Sequence, residues 1–189
     1  MDPQSAHQRA QDTFAGVLAN VTPDRYGEPT PCSEWTIQDL ITHVVGGNNM
    51  IAGRGAGSDE LSSESGDLVE AYRNSAAGAV AVFASPDAMT AVYELPFGQV
   101  PGSVLIGMRT TDVLTHAWDL AAATGQPTDL DAELATETLA VARERVQPAF
   151  RGPGRPFGAE QPCSPESPPA DRLAAFLGRS QSGHSSSAG

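Results

Sequence analysis

The stretch RTTDVLTHAWDLAAAT, Arg109–Thr124, decides how the rest of the chain is read. Met108, Val113, Leu114, Ala117, Leu120 and Ala121 recur at helical intervals, which predicts a helix with an apolar face. On that helix Asp112 and His116 are four residues apart and stack one turn above the other. Asp119 follows three residues later on the same side, and Arg109 stands three residues before Asp112. A carboxylate and an imidazole so placed can share one metal ion. The same spacing also serves a plain surface ion pair, and a third ligand from elsewhere in the chain is what separates the two readings.

The nearest candidate for that third ligand precedes it. Thr36 is placed to cap a second helix, with Asp39 completing a capping box and Trp35 and Leu40 forming a hydrophobic staple. Ile37, Leu40, Ile41, Val44, Val45 and Met50 form its apolar stripe, and His43 lies beside that stripe. A lone histidine there serves either as a metal ligand or as an ordinary buried polar group. Gly46, Gly47 and Gly53 weaken the helix beyond His43, and small residues there let another group approach closely.

The other elements follow from the same periodicity. Ser5–Asn20 reads as a first helix, with Ala10, Phe14, Val17, Leu18 and Val21 inward and its glutamines and arginine outward. Residues 54–66 are rich in Gly, Ser and acid and read as a connection. Asp67–Phe83 is a third helix. Thr90–Gly102 alternates and is broken by prolines, which is hairpin chemistry, and Pro101 opens the long helix that Gly125 closes. Leu130–Val146 makes a fifth helix, Gln147–Pro169 an irregular wrap and Ala170–Leu177 a short last helix. The expected fold is all-α: a four-helix bundle with a small β-hairpin-like insertion and an irregular C-terminal extension. Residues 1–146 form the bundle, 147–179 complete the same domain, and 180–189, including His184, form a disordered tail without a role.

Composition narrows the function. A net charge of −12, with all 11 basic residues Arg, disfavours nucleic acid and anionic membranes as partners. Met1–Asn20 carries His7, Arg9 and Asp12 and does not read as a signal peptide, and no apolar run reaches the ~20 residues of a membrane span. Two distant cysteines, Cys32 and Cys163, read as reduced thiols of a cytoplasmic protein. No neighbour in sequence activates Cys32, so a structural role is expected of it.

Four ordered blocks carry a resemblance: PTPCSEWTIQDLITHVVGGN at 29–48, LPFGQVPG at 95–102, TDVLTHAWDLAAATGQP at 111–127 and DRLAAFLGR at 171–179. Together they resemble the actinobacterial metal-binding proteins related to the N-terminal domain of mycothiol-dependent maleylpyruvate isomerase, within the DinB/YfiT-like superfamily. The resemblance implies a four-helix bundle holding a divalent metal through His43, Asp112 and His116. The isomerase looks to have Glu where this chain has the shorter Asp112.

Two histidines and a carboxylate leave coordination positions open, as in catalytic zinc sites, and nickel, iron and manganese also accept such ligands. The implied chemistry uses mycothiol or another small thiol, activated at the metal, to transfer to or isomerise a small electrophile. Asp119 is the candidate for orienting His116, against a plain surface role. Arg109 is the candidate for clamping a substrate carboxylate, against pairing with Asp112. Trp118 is expected to pack. A non-catalytic metal-binding protein and a metal-hydroxide hydrolase of thiol conjugates are the competing readings, and a homodimer is the oligomeric expectation. The isomerase's larger C-terminal domain has no recognisable counterpart in 147–179, so maleylpyruvate is not the expected substrate.

Overall fold

The computed structural model describes residues 1–32, 35–53, 67–95, 98–152 and 154–180. In chain order it contains α1 (Pro3–Leu18), a 3-10 turn (Pro23–Arg25), α2 (Ile37–Ile51), α3 (Leu68–Phe83), β1 (Val92–Leu95), β2 (Gly98–Pro101), α4 (Gly102–Thr124), α5 (Ala132–Arg145), a second 3-10 turn (Pro148–Phe150) and α6 (Pro169–Phe176). These fall into two compact units, Met1–Gln126 and Pro127–Gly189. The division comes earlier than the boundary after residue 146 expected from sequence, because α5 packs on α6. The expected connection at 54–66 and the tail from 181, with His184, lie outside the described residues. No helix among the described residues is long and apolar enough to cross a membrane.

The first unit is the four-helix bundle. α1 packs against α4 and α3, and α2 against α3 and α4. Three of its helices start where a side chain accepts from the first free N–H groups. Asp2 caps α1, Asp67 caps α3, and Thr36 and Asp39 form the expected reciprocal capping box on α2. The glycines after His43 do not end α2, which continues to Ile51.

The hairpin prepares the start of α4. β1 and β2 pair antiparallel from Val92↔Pro101 to Leu95↔Gly98. Pro101 is the cap of α4 and not a residue of its first turn; its helix begins at Gly102. No side chain caps this end. Instead Gly102 and Ser103 donate to the carbonyls of Ala91 and Met89. A side chain at Gly102 would collide with the Ala88 carbonyl, so only glycine lets the hairpin close down on the helix.

At its other end α4 stops at Gly125, which is left-handed with φ +67. Arg25, held by Glu28, donates to the carbonyls of Thr124 and Ala123 at 2.9 and 3.2 Å, placing a cation on the negative end of the helix. Between these ends residues 113–121 are all buried, so mid-α4 is enclosed on every side and not only along the stripe read from its sequence. Met108, assigned to that stripe, is exposed, while Trp118 is buried.

Part of the core is polar. Gln11, expected to face outward, is buried and reads as a correction to the outer face of α1. Its amide donates to Asn48 Oδ1 at 2.9 Å, the Tyr72 hydroxyl donates to Gln11 at 2.7 Å, and Asn48 donates to Ser75 at 3.3 Å. Arg109 joins from α4, donating to Asn48 Oδ1 at 3.1 Å. Each of these side chains has at least one partner, and the layer ties all four helices together.

In the second unit Gly158 and Gly178 touch backbone to backbone, Gly178 at φ +98. Arg151 donates to the carbonyls of Gly158 and Phe176 and lies over the Phe176 ring.

Candidate metal centre

His43 on α2 and Asp112 and His116 on α4 come together. One ligand atom from each lies within 4.8 Å of the other two. Both imidazoles point Nε2 at the same carboxylate oxygen: Asp112 Oδ1 is 3.4 Å from His43 and 3.5 Å from His116. Bonds of 2.0–2.1 Å to one tetrahedral ion would separate its ligand atoms by about 3.4 Å. Two of the three separations therefore match those around such a cation, and the third stays within 4.8 Å. His43 is 39 % exposed and Asp112 30 %, so the centre opens outward on their side, whereas His116 is buried.

The other half of two of these side chains, His116 and Asp112, is occupied. His116 Nδ1 is 3.0 Å from Oδ2 of Asp119, which is fully buried. Once the ring is deprotonated, that contact selects the tautomer with hydrogen on Nδ1 and the lone pair on Nε2. Asp112 Oδ2 accepts from Arg109 Nη1 at 2.8 Å, leaving Oδ1 for the centre. Asp112 is thereby set up as a one-oxygen ligand.

Arg109 itself is buried, and its Nη2 also donates to the Val44 carbonyl at 3.3 Å. The guanidinium is committed to the interior and does not reach out as a substrate clamp; pairing with Asp112 is the alternative it adopts. Crowding around Asp112 disfavours its charge, but Arg109, followed by His116, outweighs this and holds the carboxyl well below the usual range.

Gly47 explains how α2 admits that guanidinium. A Cβ there would fall 2.6 Å from Arg109 Cζ. The small residues after His43 admit a neighbouring side chain. Gly47→Ala is expected to push Arg109 off its partners and cost about 1–3 kcal/mol, the usual range for overpacking. Urea denaturation measures it, and an unchanged midpoint would show that the guanidinium relocates freely.

Two residues of this neighbourhood were not read as site residues. The Trp35 ring lies 4.7 Å from the His43 ring and 5.6 Å from that of His116, forming a wall across both imidazoles where a helix staple was expected. Cys32, half-buried, brings its sulfur within 4.8 Å of ligand atoms of His116 and Asp119. Both are placed by the segment before α2. Thr30 and Trp35 bond each other through Thr30 N–H and Oγ1 to the Trp35 carbonyl, and Trp35 N–H donates to the Cys32 carbonyl at 3.1 Å. Their only sequence signal was proximity to the α2 cap.

Two buried histidines with different charged neighbours, His7 and His116, bias stability with pH in opposite senses. Burial, aided by Arg109, pushes His7 down to about 4. Burial also opposes the charge on His116, but Asp112 and Asp119 override it and raise His116 to about 9. For His7 the unfolded chain binds more protons between about 4 and 6.5, so stability is lost as pH falls through that window. For His116 the folded chain binds more protons, so its contribution is complete below 6.5 and is lost as pH rises towards 9. Each shift corresponds to about 3 kcal/mol. Chelator-treated protein is therefore expected to show its highest Tm near pH 6.5. A bound cation, which requires His116 deprotonated, should flatten the alkaline side. A chelated Tm that holds constant from pH 6.5 to 9 would contradict the charged His116.

With this geometry established, comparison with known proteins identifies the family. A sequence model described as the mycothiol maleylpyruvate isomerase N-terminal domain matches residues 7–121. The chain belongs to that family. It is 63% identical, over 95% of its own length and 98% of theirs, to two uncharacterized proteins of Mycobacterium tuberculosis from different strains. Among solved structures, its fold is similar to the crystal structure of mycothiol-dependent maleylpyruvate isomerase, with a TM-score of 0.57 and 22% identity. That match covers 73% of this chain and 66% of the isomerase chain, so this chain spans just under two thirds of it. A histidine-to-alanine variant of the isomerase matches equally well in fold, at 21% identity.

Proposed function

We propose that this chain is a metal-dependent enzyme that uses a low-molecular-weight thiol of the mycothiol kind to transfer to, or isomerise, a small electrophilic substrate. The observation that carries the reading is the convergence of His43 Nε2 and His116 Nε2 on Asp112 Oδ1, at 3.4 and 3.5 Å, with the His43 side exposed. Two nitrogens and one oxygen make zinc the first choice, ahead of nickel, iron or manganese. A divalent cation bound there would supply a lowered pKa for a coordinated thiol, so that thiolate is available at neutral pH.

The remaining roles fall to the chain's own side chains. Asp119 keeps His116 in the Nδ1–H tautomer, and Arg109 reserves Asp112 Oδ1 for the centre. Both are positioning residues, not groups that touch substrate. Trp35 supplies an apolar wall beside the open side, suited to the carbon skeleton of a small electrophile.

The test is turnover of a panel of activated alkenes and other small electrophiles, with and without mycothiol or substitute thiols, before and after chelation. Turnover that needs both thiol and cation, and returns when zinc is restored, is the expected result. No turnover with any thiol would defeat the reading and leave a binding protein. Cleavage of a thioether or amide without added thiol would replace it with the hydrolase.

A further inference from the structure

Cys32 has no part in the function proposed above, yet it stands in a second ligand cluster. Its sulfur, a ring nitrogen of His116 and a carboxylate oxygen of Asp119 lie within 4.8 Å of one another. His116 and Asp119 are buried and Cys32 is half-buried. The cysteine backbone is held in place, its carbonyl accepting from Thr30 Oγ1 and Trp35 N–H at 3.1 Å each.

We propose that Cys32, His116 and Asp119 form a second cation site, selective for a thiophilic divalent metal, that competes with the first centre for His116. Thiolate, imidazole and carboxylate together are a softer donor set than the two imidazoles and carboxylate of the first centre, and they favour ions such as cadmium or zinc over manganese. Binding exchanges the Cys32 S–H proton, released to solvent, for a sulfur–metal bond, with no change of oxidation state.

Competition follows from the chemistry of one ring. A neutral imidazole has a single lone pair to give. With its hydrogen on Nδ1, donated to Asp119, His116 serves the first centre through Nε2. In the second cluster His116 gives that one lone pair to the other ion, the ring's hydrogen staying on or moving to the remaining nitrogen, so no lone pair is left for the first centre. A thiophilic ion would thus draw His116 away from Asp112 and silence the first centre. The inference rests on the placement of three side chains and stands whether or not the first centre performs thiol chemistry.

The experiment loads the full-length, metal-free protein with cobalt(II), whose visible bands report the first centre, and then titrates it with cadmium(II). Thiolate-to-cadmium charge transfer in the ultraviolet reports sulfur ligation. The expected result is a thiolate band saturating at one cadmium per chain while the cobalt bands fade. The band should vanish in Cys32→Ser and Cys32→Ala and persist in Cys163→Ser and His43→Ala. Absence of a thiolate band in the unaltered protein, or its survival in both Cys32 variants, overturns the site. Loss of the band in His43→Ala would make the thiol a ligand of the first centre and overturn the claim of two sites. A saturated cadmium band beside unchanged cobalt bands would overturn the competition.

Discussion

Replacing His116 by alanine is expected to abolish stoichiometric metal binding, while Asp119→Asn only weakens it. His116 provides the one ligand of the centre that is buried, and its Nε2 lies 3.5 Å from the oxygen that the other histidine also faces. Asp119 never points at that oxygen; it holds the ring by Nδ1 at 3.0 Å. Loss of such an outer partner costs roughly 10–100-fold in affinity, and loss of the ligand itself must cost more. Elemental mass spectrometry on protein purified without a metal-affinity tag measures occupancy, and competition with a chelator measures affinity. Metal retained at wild-type levels in His116→Ala, His43→Ala and Asp112→Ala would remove the centre altogether, and the helix pair would be ordinary polar residues of a bundle.

The second large effect concerns Arg109. Arg109→Met is expected to destabilise the fold by about 1–3 kcal/mol, the cost of leaving part-buried and buried acceptors without their donor. The guanidinium bonds Asp112 Oδ2, the Asn48 side chain and the Val44 carbonyl, so its removal strips three acceptors at once. The same change withdraws the main charge that keeps Asp112 ionised, so metal binding should require higher pH than in the unaltered protein. Arg109→Lys should not restore the loss, because an ammonium cannot serve Asp112 and Asn48 from the two ends of a planar fork. Urea denaturation with a pH series of metal binding checks both parts; a variant of wild-type stability would show that Arg109 is not a structural link between core and centre.

The α2 capping box was legible because Thr36 and Asp39 are three residues apart and act within one helical turn. Asp112, His116 and Asp119 were legible for the same reason, as local spacings on one helix carry directly into geometry. Gln11 was misplaced because its polar side chain was counted with the outer face, although it stands three residues before Phe14 and seven before Leu18; Asn48 and Tyr72, from two other helices, supply the partners that allow its burial. Cys32 was given a structural role and Trp35 a staple role because their contacts with residues on α2 and α4 have no signature within their own segment. Arg109 had two readings on sequence, and the difference between them was the position of Asn48 and Gly47 on a neighbouring helix.

What the sequence by itself determined is therefore the local part: four helices, the capping box of α2, the glycine that ends α4, the hairpin before it and the pairing of a carboxylate with an imidazole one turn apart. Those features depend on interactions between residues three or four positions apart, which periodicity records. Only the tertiary structure decided that His43 meets this pair through Nε2, that Arg109 leaves Asp112 a single free oxygen, and that Cys32 stands beside His116 and Asp119. Those depend on how the helices and the segment before α2 come together, and burial of side chains far apart in the chain sets that arrangement.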